Sequence, residues 1–586
     1  LIQGEDIRDF GATPHESTFF PYDLDHKLQE LSTFPGESRR MWRLRTTLGS
    51  RPTFSGETYF AAERPWHAWH QLPVDSATSP LSITFAEVAT HNHFALERGG
   101  RVFNQTAPVV KLPAAASVEE HLALLGALNS SVACFWLRQN CKPKGGASDQ
   151  TWLRTHQFNS NRVKRFPLPP TMPFERAQVL DTLAQQLKQQ TPSSLAARKT
   201  PTNTSLEIAK TEFLQLRRLL IYHQEELDWE YYRLYRLIEE DLTYEGEVVE
   251  IALGERVFEI ALARRIDDCG ETAWFERHGS TPITDIPNHL PPDYQRLLQR
   301  RLDVTKSNPN IRLLERPEYK RPWAMEPWDK QVQCALRGWL LDRVEERKLW
   351  FDRDDRPNPL SVAQLADILD RDADFRDVLR LWAGDPNAAT GTALAKLLVD
   401  EAVPFLSAYR YKPSGLDKRA DWEHTWSLQR REDAGEKLDS PIPVPPKYAS
   451  ADFVKTSYWT HRGTLDVPKE RFISYPNAGR DSDSTELLGW AGWDHAAQAL
   501  ALAALISARI EEGWDTPRLV PMLAGLHELA PWVRQWHNEI DPEYGESVAD
   551  TIDDELATRL AEHHLTVVDL TGWRPAATTR GRRART

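Results

Sequence analysis

The apolar pattern of the chain changes at Ser117, and this change restricts the fold more than any other feature. Before it, short apolar stretches are separated by Pro and Gly, and residues 83–88 and 93–96 mix apolar and polar positions as strands do. Ser117 and Glu120 then form a capping-box sequence, after which apolar residues recur at helical spacing to about Asn140. We therefore predict strands followed by helices, in an α+β fold.

A glycine pair and further helical patterns extend this prediction. Arg98-Gly99-Gly100 supplies the positive φ angles of a tight turn, before residues 101–103 return. Helical spacing predicts helices within residues 173–240, 328–409 and 495–536, and the Pro-rich and aromatic-rich residues 422–493 predict irregular structure packed on helices. Residues 246–265 fit either a small strand pair or a helix.

At 586 residues the chain is too long for a single hydrophobic core. We predict four parts: a mixed β/α domain at residues 1–170, a helical connector at 171–245, a mostly helical domain at 246–420, and a carboxy-terminal domain at 421–586 that ends in the basic tail RGRRART. No apolar run approaches the ~20 residues of a membrane span, so no membrane partner is expected. The four cysteines include no CxxC pair, which favours reduced thiols and a cytoplasmic location.

The net charge of −13 is unevenly distributed along the chain. Residues 1–170 hold 18 Lys and Arg against 16 Asp and Glu, so the acidic excess lies in the later residues. Two basic windows stand out: the first is Arg39, Arg40, Arg43, Arg45 and Arg51, and the second is Arg138, Lys142, Lys144, Arg154, Arg162, Lys164 and Arg165, with Asp149 as its only acid. Such windows can neutralise DNA phosphates, although solvated surface is the equally weighted alternative.

The stretch His91-Asn92-His93 raises the question of a metal site. Two imidazoles at positions i and i+2 supply two ligands, whereas a zinc site needs three or four, and no Cys or carboxylate lies close in sequence. We predict no metal here, and hydrogen-bonding roles for both histidines.

Motifs for catalysis are missing from the sequence. It contains neither GxGxxG nor GxxxxGK[ST], neither HExxH nor GxSxG, and no [DNS]PP[YFW] tetrapeptide of the kind that holds a flipped adenine. Asp303 with Glu318 and Lys320 could hold Mg²⁺ in a nuclease, which we retain as a third alternative. We predict no catalytic residue in this chain.

Several long phrases resemble one known family, in the same order along the chain. They include GEDIRDF, ITFAEVATHNHFALERGG, HLALLGALNSSVACFWLRQNCKPKGG, FNSNRVKRFPLP, QEELDWEYYRLY, RPEYKRPW, WEHTWSLQRREDA and LLGWAGWDH. The chain resembles the PglX family of adenine-specific DNA methyltransferases from type 2 BREX phage-defence systems. It is similar, more distantly, to type IIG and IIL restriction-modification enzymes.

The resemblance implies a division of labour. A parent enzyme would transfer a methyl group from S-adenosylmethionine to adenine, with residues 1–170 reading the double-stranded DNA target. The family's cofactor loop and base-flipping motif precede GEDIRDF, so we expect this segment to bind no cofactor and to be inactive alone.

The same resemblance directs the choice of DNA-contacting residues and partners. We predict DNA contacts from Arg39, Arg40, Arg43, Arg45, Asn92, Lys142, Lys144, Arg162, Lys164 and Arg165. The cations suit phosphates and guanine edges, and the amide suits adenine. Other BREX components are expected as protein partners. The alternative from another class is an acidic helical scaffold that assembles a defence complex.

Overall fold

The structure is a computed structural model that describes residues 1–23, 25–70, 72, 81–145, 150–266, 272–542 and 545–576. Helices hold 51% of the chain and strands 8%, which confirms the α+β class and its largely helical later part. The basic tail, Asp149 and Cys269 lie outside the described residues. No helix within the described ranges combines the length and apolar character that crossing a bilayer requires.

The chain forms two compact units, each built from two separate segments. The first unit comprises Leu1–Lys27 and Gln71–Ala335, and the second comprises Leu28–His70 and Leu336–Thr586. Residues 28–70 therefore belong with the carboxy-terminal half, and not with the rest of residues 1–170. Trp42 shows why, because it packs in one apolar cluster with Trp426 and Trp532. The predicted four-part division stays a prediction of functional segments.

Small antiparallel sheets form the β part of the first unit. The strand pairs are Ser82–Phe85 with Phe94–Glu97 and with Val109–Val110, Val88–Ala89 with His156–Gln157, and Ile7–Arg8 with Gly11–Ala12. The paired strands Ser82–Phe85 and Phe94–Glu97 lie largely within the two predicted strand regions, and Gly99 and Gly100 have the predicted positive φ angles, of 84° and 73°. The prediction that residues 101–103 return after this turn as a strand of the same sheet is wrong. Phe103 bridges to Ile2, and Val109–Val110 supplies the third strand.

The predicted helix to Asn140 is two helices, Val118–Asn129 and Ser131–Asn140. The capping box of Ser117 and Glu120 is present, as predicted. The break falls at Ser130, whose extended backbone lets its hydroxyl accept a hydrogen bond from the amide of Ala133 at 3.2 Å. Ser130 thus ends one helix and caps the next.

We expect Ser130→Ala to lower the free energy of unfolding by about 1–2 kcal/mol, because the cap is lost in a buried position. Urea denaturation followed by circular dichroism measures the change. Ser160→Ala is the matched control, since Ser160 is exposed at the start of another helix. Equal losses in the two variants would contradict the capping role of Ser130.

The remaining helices in the described part of the first unit include three within residues 173–240, where sequence spacing predicts helices, and five outside that range. They are Ser160–Val163, Glu175–Gln189, Pro192–Arg198, Asn203–Leu234, Val257–Ala263, Ala273–His278, Pro292–Ser307 and Pro309–Leu314. Residues 246–265 contain a helix and no strand. The next helix, Trp328–Val344, carries the chain from one unit into the other.

The second unit packs helices around a four-stranded sheet. Its helices are Pro35–Trp42, Arg45–Gly49, Val362–Leu369, Ala373–Ala383, Thr390–Leu398, Ser407–Arg410, Pro413–Asp433, Thr456–Arg462, His495–Glu511, Thr516–Trp536, Val548–Glu562 and Val567–Gly572. The strands lie in the order Leu360–Ser361, Leu487–Trp490, Phe472–Ser474 and Ala402–Pro404, of which the last two are parallel.

The irregular structure predicted for residues 422–493 is wrong in part. The helix Pro413–Asp433 runs through Trp422 and Trp426, and two of the strands lie in this section. The two tryptophans are four residues apart, so the helix buries both on one face.

Candidate nucleic-acid interface

The second basic window is built on a short three-segment ladder. The strand His156–Gln157 pairs with Val88–Ala89 on one side. On the other side, the amide of Gln157 donates to the carbonyl of Lys142 at 3.0 Å, and the amide of Lys144 donates to the carbonyl of Thr155 at 2.9 Å. The helix Ser160–Val163 follows this strand directly. Both halves of the basic window therefore lie on neighbouring backbone segments.

Five cations of this window project into solvent, and we call them the basic edge: Lys142, Lys144, Arg162, Lys164 and Arg165. None of their side chains forms an ion pair or hydrogen bond with another described residue. Burial raises the pKa of the Cys141 thiol, and the charge of Arg162 partly opposes this rise. Arg162 therefore acts on the residue that directly precedes Lys142. As far as the structure describes the chain, the basic edge is thus a local concentration of positive charge without ion pairs.

Arg138 belongs to the same window in sequence but has a different role. Its side chain is buried and donates hydrogen bonds to the carbonyls of Thr90 and Thr151, the latter at 2.8 Å. It therefore ties the connection between the strands Val88–Ala89 and Phe94–Glu97 to the segment that leads into the strand His156–Gln157. This is a structural clamp beneath the basic edge.

Asn92 does not lie on the surface, which corrects its prediction as a DNA contact. Asn92 is only 4% exposed, and its side-chain amide donates to the carbonyls of Leu128 at 2.6 Å and Ser130 at 3.1 Å. Both amide hydrogens are used inside the first unit. A base edge therefore has no access to them.

The hydrogen-bonding roles predicted for His91 and His93 are confirmed. The Nε2 atom of His91 lies 2.9 Å from the carbonyl of Pro317, and the Nδ1 atom of His93 lies 2.9 Å from the guanidinium of Arg321. Burial lowers the pKa of His91 well below its usual value and lowers that of His93 to about 4. The described residues contain no group of three side chains placed to hold a metal ion.

The first basic window lies in the second unit and is partly neutralised. Arg39 and Arg40 are exposed on the helix Pro35–Trp42. Arg43 lies 5.3 Å from the ring of Trp426 and 5.5 Å from that of Trp532, and burial lowers its pKa to about 10.

Arg45 forms ion pairs with Asp433 and with Glu432, the latter at 2.6 Å. Arg43 and Arg45 are corrections, because tryptophan rings and carboxylates already engage their charges. Arg39 and Arg40 stay predictions, as does the basic edge.

Comparison with known proteins adds a family. Residues 220–584 match the model of a family described as a domain of unknown function, DUF7008. The chain belongs to this family. It is also 48% identical, over 607 aligned residues, to the adenine-specific methyltransferase PglX of Streptomyces coelicolor. This match covers all of the chain and lies in the carboxy-terminal portion of the relative, so the chain spans 49% of the length of that relative. No solved structure matches.

The DUF7008 region begins in the long helix Asn203–Leu234, which carries a cluster of buried charges. Lys320 lies 2.8 Å from Asp228, 3.1 Å from Glu225 and 3.0 Å from Glu315, and all four side chains are at most 2% exposed. We call these four residues the buried ion cluster. Asp228 also accepts hydrogen bonds from the amide and hydroxyl of Ser131, at 2.8 and 2.6 Å.

The neighbouring residue Arg321 extends this network toward the sheet. Its guanidinium donates to the side-chain oxygen of Asn129 at 2.8 Å and to the carbonyl of Asn92 at 3.0 Å. It also lies 3.1 Å from the carboxylate of Asp9, whose pKa is lowered by His93 and Arg321 against the opposing effect of burial. The DUF7008 region is thereby fastened to the β part of the first unit.

The positions of Asp303, Glu318 and Lys320 do not support the nuclease alternative. Lys320 is committed to three carboxylates, whereas Asp303 is exposed and accepts a hydrogen bond from Gln299. Glu318 accepts a hydrogen bond from the hydroxyl of Thr151. These three residues have separate structural partners.

Sequence reasoning missed this cluster, although a signal was present. The helix segment QEELDWEYY places apolar and aromatic residues on every side of the helix, which indicates a buried helix, and its acids are interleaved with them. Acids in such a helix require cationic partners, and the KRPW phrase supplies them.

Glu225 gives the cluster a dependence on pH. Its carboxylate lies near Lys320 but makes no hydrogen bond among the described residues, and burial raises its pKa from 4.5 to about 7. Because the pKa of Glu225 is higher in the folded state, proton binding by Glu225 stabilises the folded protein. This contribution to the free energy of unfolding is complete below about pH 4.5 and is lost as the pH rises through about 7.

We therefore expect Glu225→Gln to be more stable than the wild type at pH 8, by about 1–2 kcal/mol, and to show no advantage near pH 4. Denaturant unfolding at a series of pH values measures this difference. Glu212→Gln on the same helix is the control, because Glu212 is exposed. A constant difference between the Glu225→Gln variant and the wild type across the pH range would contradict the titration of Glu225.

Proposed function

We propose that this chain is the DNA-recognising, carboxy-terminal part of an adenine-specific DNA methyltransferase that works in a BREX phage-defence system. The observation that carries the proposal is the 48% identity to PglX along the entire chain. Double-stranded DNA is the proposed partner of the basic edge, other BREX components are the proposed protein partners, and the cytoplasm is the proposed location.

The basic edge supports the proposal because its five cations are exposed and have no carboxylate partners among the described residues. Phosphate contacts can use such charges without the cost of breaking an existing ion pair. The ladder and the Arg138 clamp hold the edge on regular backbone, which suits a surface that must keep register on a duplex. Arg39 and Arg40 remain candidates for additional contacts from the second unit.

Salt dependence of DNA binding tests the proposal. The affinity of this chain for a duplex should fall steeply as the salt concentration rises, with about 0.9 in the slope of log K against log salt for each phosphate neutralised. Fluorescence anisotropy with labelled duplexes at 50 to 200 mM salt measures it. An acidic interaction scaffold, the rival from another class, would show little DNA binding at any of these salt concentrations.

Methyl transfer is proposed for the parent enzyme, with S-adenosylmethionine as its cofactor. The residues present do not fit that cofactor: the sequence lacks GxGxxG, and rings of Trp493 and Tyr475 fill the space beside Gly489, in the strand Leu487–Trp490 that precedes the glycine-containing loop to the helix His495–Glu511. We therefore expect no methyl incorporation when this chain alone is incubated with labelled S-adenosylmethionine and phage DNA. Clear incorporation would overturn this part of the proposal.

A further inference from the structure

The second unit contains a cavity of about 610 Å³ that is lined mainly by the helices Pro413–Asp433, Thr516–Trp536 and Val567–Gly572, with the start of the helix Ser407–Arg410. We propose that this cavity binds a nucleoside phosphate, with the phosphate at Arg430 and Arg574 and the planar ring at Trp573. This inference is independent of DNA reading at the basic edge, which lies in the other unit.

Arg430 supplies a positive charge that no carboxylate balances by an ion pair within the described residues. Its Nε atom donates to the side chain of Gln535 at 2.8 Å, but its Nη2 atom is buried without a hydrogen-bond partner in the described structure. The guanidinium is also held 4.6 Å from the ring centre of Trp532 and 5.3 Å from that of Trp42. Because the buried Nη2 atom does not face the cavity, contact with an anion falls to the rest of this partly exposed guanidinium, which lines the cavity and is fixed by the two rings.

The other charges in the wall are arranged so that they leave this preference intact. Arg419 is balanced by Glu423 at 2.7 Å, and the carboxylate of Glu528 accepts hydrogen bonds from the amide and hydroxyl of Ser407. Arg574 is exposed at the rim and donates only to backbone carbonyls of described residues. The carboxylates are therefore occupied, while Arg430 and Arg574 can still take an anion.

Polar groups beyond the arginines fit a base or a sugar. Pro531 lies inside its helix and lacks an amide hydrogen, so the carbonyl of His527 lacks the donor that a helix normally provides four residues later. The His527 side chain also lines the cavity, and burial lowers its pKa, which keeps the imidazole neutral. The wall thus offers a carbonyl without its usual helical donor and a neutral imidazole beside the cationic end.

Size and apolar lining distinguish a nucleotide from a simple anion. The volume lies in the range of about 300–1,000 Å³ that is typical of small-molecule sites, and a lone phosphate would leave most of it empty. Leu416, Leu570 and the half-buried ring of Trp573 supply apolar surface. Base stacking on a tryptophan together with arginine contacts to phosphate is a common way of holding a nucleotide.

Isothermal titration calorimetry of the whole chain tests the proposal with AMP, inorganic phosphate, adenosine and a short single-stranded oligonucleotide. We expect AMP to bind with a dissociation constant below about 1 mM, and phosphate and adenosine to bind at least about tenfold more weakly. Binding of the oligonucleotide at the same site would identify a strand end as the source of the nucleotide. No binding of AMP or of the oligonucleotide at this site would overturn the proposal.

Two variants and a control locate the binding. Arg430→Gln should weaken AMP binding at least about tenfold, since one hydrogen-bonding cation is lost. Ala420→Trp places a large side chain in the cavity wall and should abolish binding even if Arg430→Gln proves unstable. The control Arg480→Gln removes an exposed cation outside the cavity and should change nothing.

Unchanged AMP binding by folded Ala420→Trp protein would place the ligand elsewhere and overturn the proposal. Substitution of the basic edge should leave AMP binding intact, so failure of the DNA-recognition proposal would be seen separately.

Discussion

Replacement of Lys320 by alanine is expected to destabilise the first unit by about 3–5 kcal/mol, because three carboxylates would remain buried without their cation. The stabilising arrangement depends on one ammonium group that contacts Glu225, Asp228 and Glu315. Urea denaturation followed by tryptophan fluorescence should show that the first unit of the variant unfolds at a lower urea concentration than that of the wild type. The slope of that transition should be unchanged.

Two further variants make the Lys320 result specific. Lys306→Ala removes an exposed lysine of the same unit and should shift unfolding by no more than about 0.5 kcal/mol. Combining Lys320→Met with neutral amides at Asp228 and Glu315 should recover part of the loss, because the uncompensated charges are then gone. A Lys320→Ala protein as stable as the Lys306→Ala control would show that the buried ion cluster is not held together as described.

The second large effect concerns DNA. Alanine substitution of Lys142, Lys144, Arg162 and Arg165 is expected to lower duplex affinity at 50 mM salt by at least about 100-fold, and to reduce the slope of log K against log salt by roughly 3 to 4. The physical reason is that each lost cation no longer releases counterions from the DNA. Fluorescence anisotropy over a range of salt concentrations measures both quantities.

A matched control separates the basic edge from net charge. Alanine at Lys199, Arg296, Lys306 and Arg312 removes the same charge from exposed positions of the same unit. This control should retain nearly all of the affinity and the slope. If both quadruple variants lose affinity equally, DNA binding reflects general charge, and the basic edge has no special role.

Local signals in the sequence predicted local structure well. The Ser117 capping box, the Gly99-Gly100 turn and the helices after residue 173 depend on neighbours within a few positions. Such patterns are visible in one sequence because a cap or a turn needs particular residue types at fixed offsets. The fold class followed from them.

The failures share a different physical origin. The helix break at Ser130 depends partly on Asp228, which binds the next residue from 97 positions away. Asn92 is buried because carbonyls more than 35 positions later accept its hydrogen bonds, and the partners of Arg45 are nearly 400 positions distant. Residue type alone cannot distinguish an exposed arginine from one with a distant carboxylate. The candidate interface therefore needed coordinates to separate its usable cations from its engaged ones.

The discontinuous build of the two units has a consequence for synthesis on the ribosome. Leu28–His70 leaves the exit tunnel before Gln71–Ala335, whereas the partners of Trp42, which include Asp433 and Trp532, are translated after that segment. At an elongation rate of about 5–20 residues per second, this segment waits some tens of seconds with its aromatic side chains uncovered. During that interval the nascent chain is a natural client for chaperones, and messages truncated before the codon for Asp433 would yield a product that never covers these side chains.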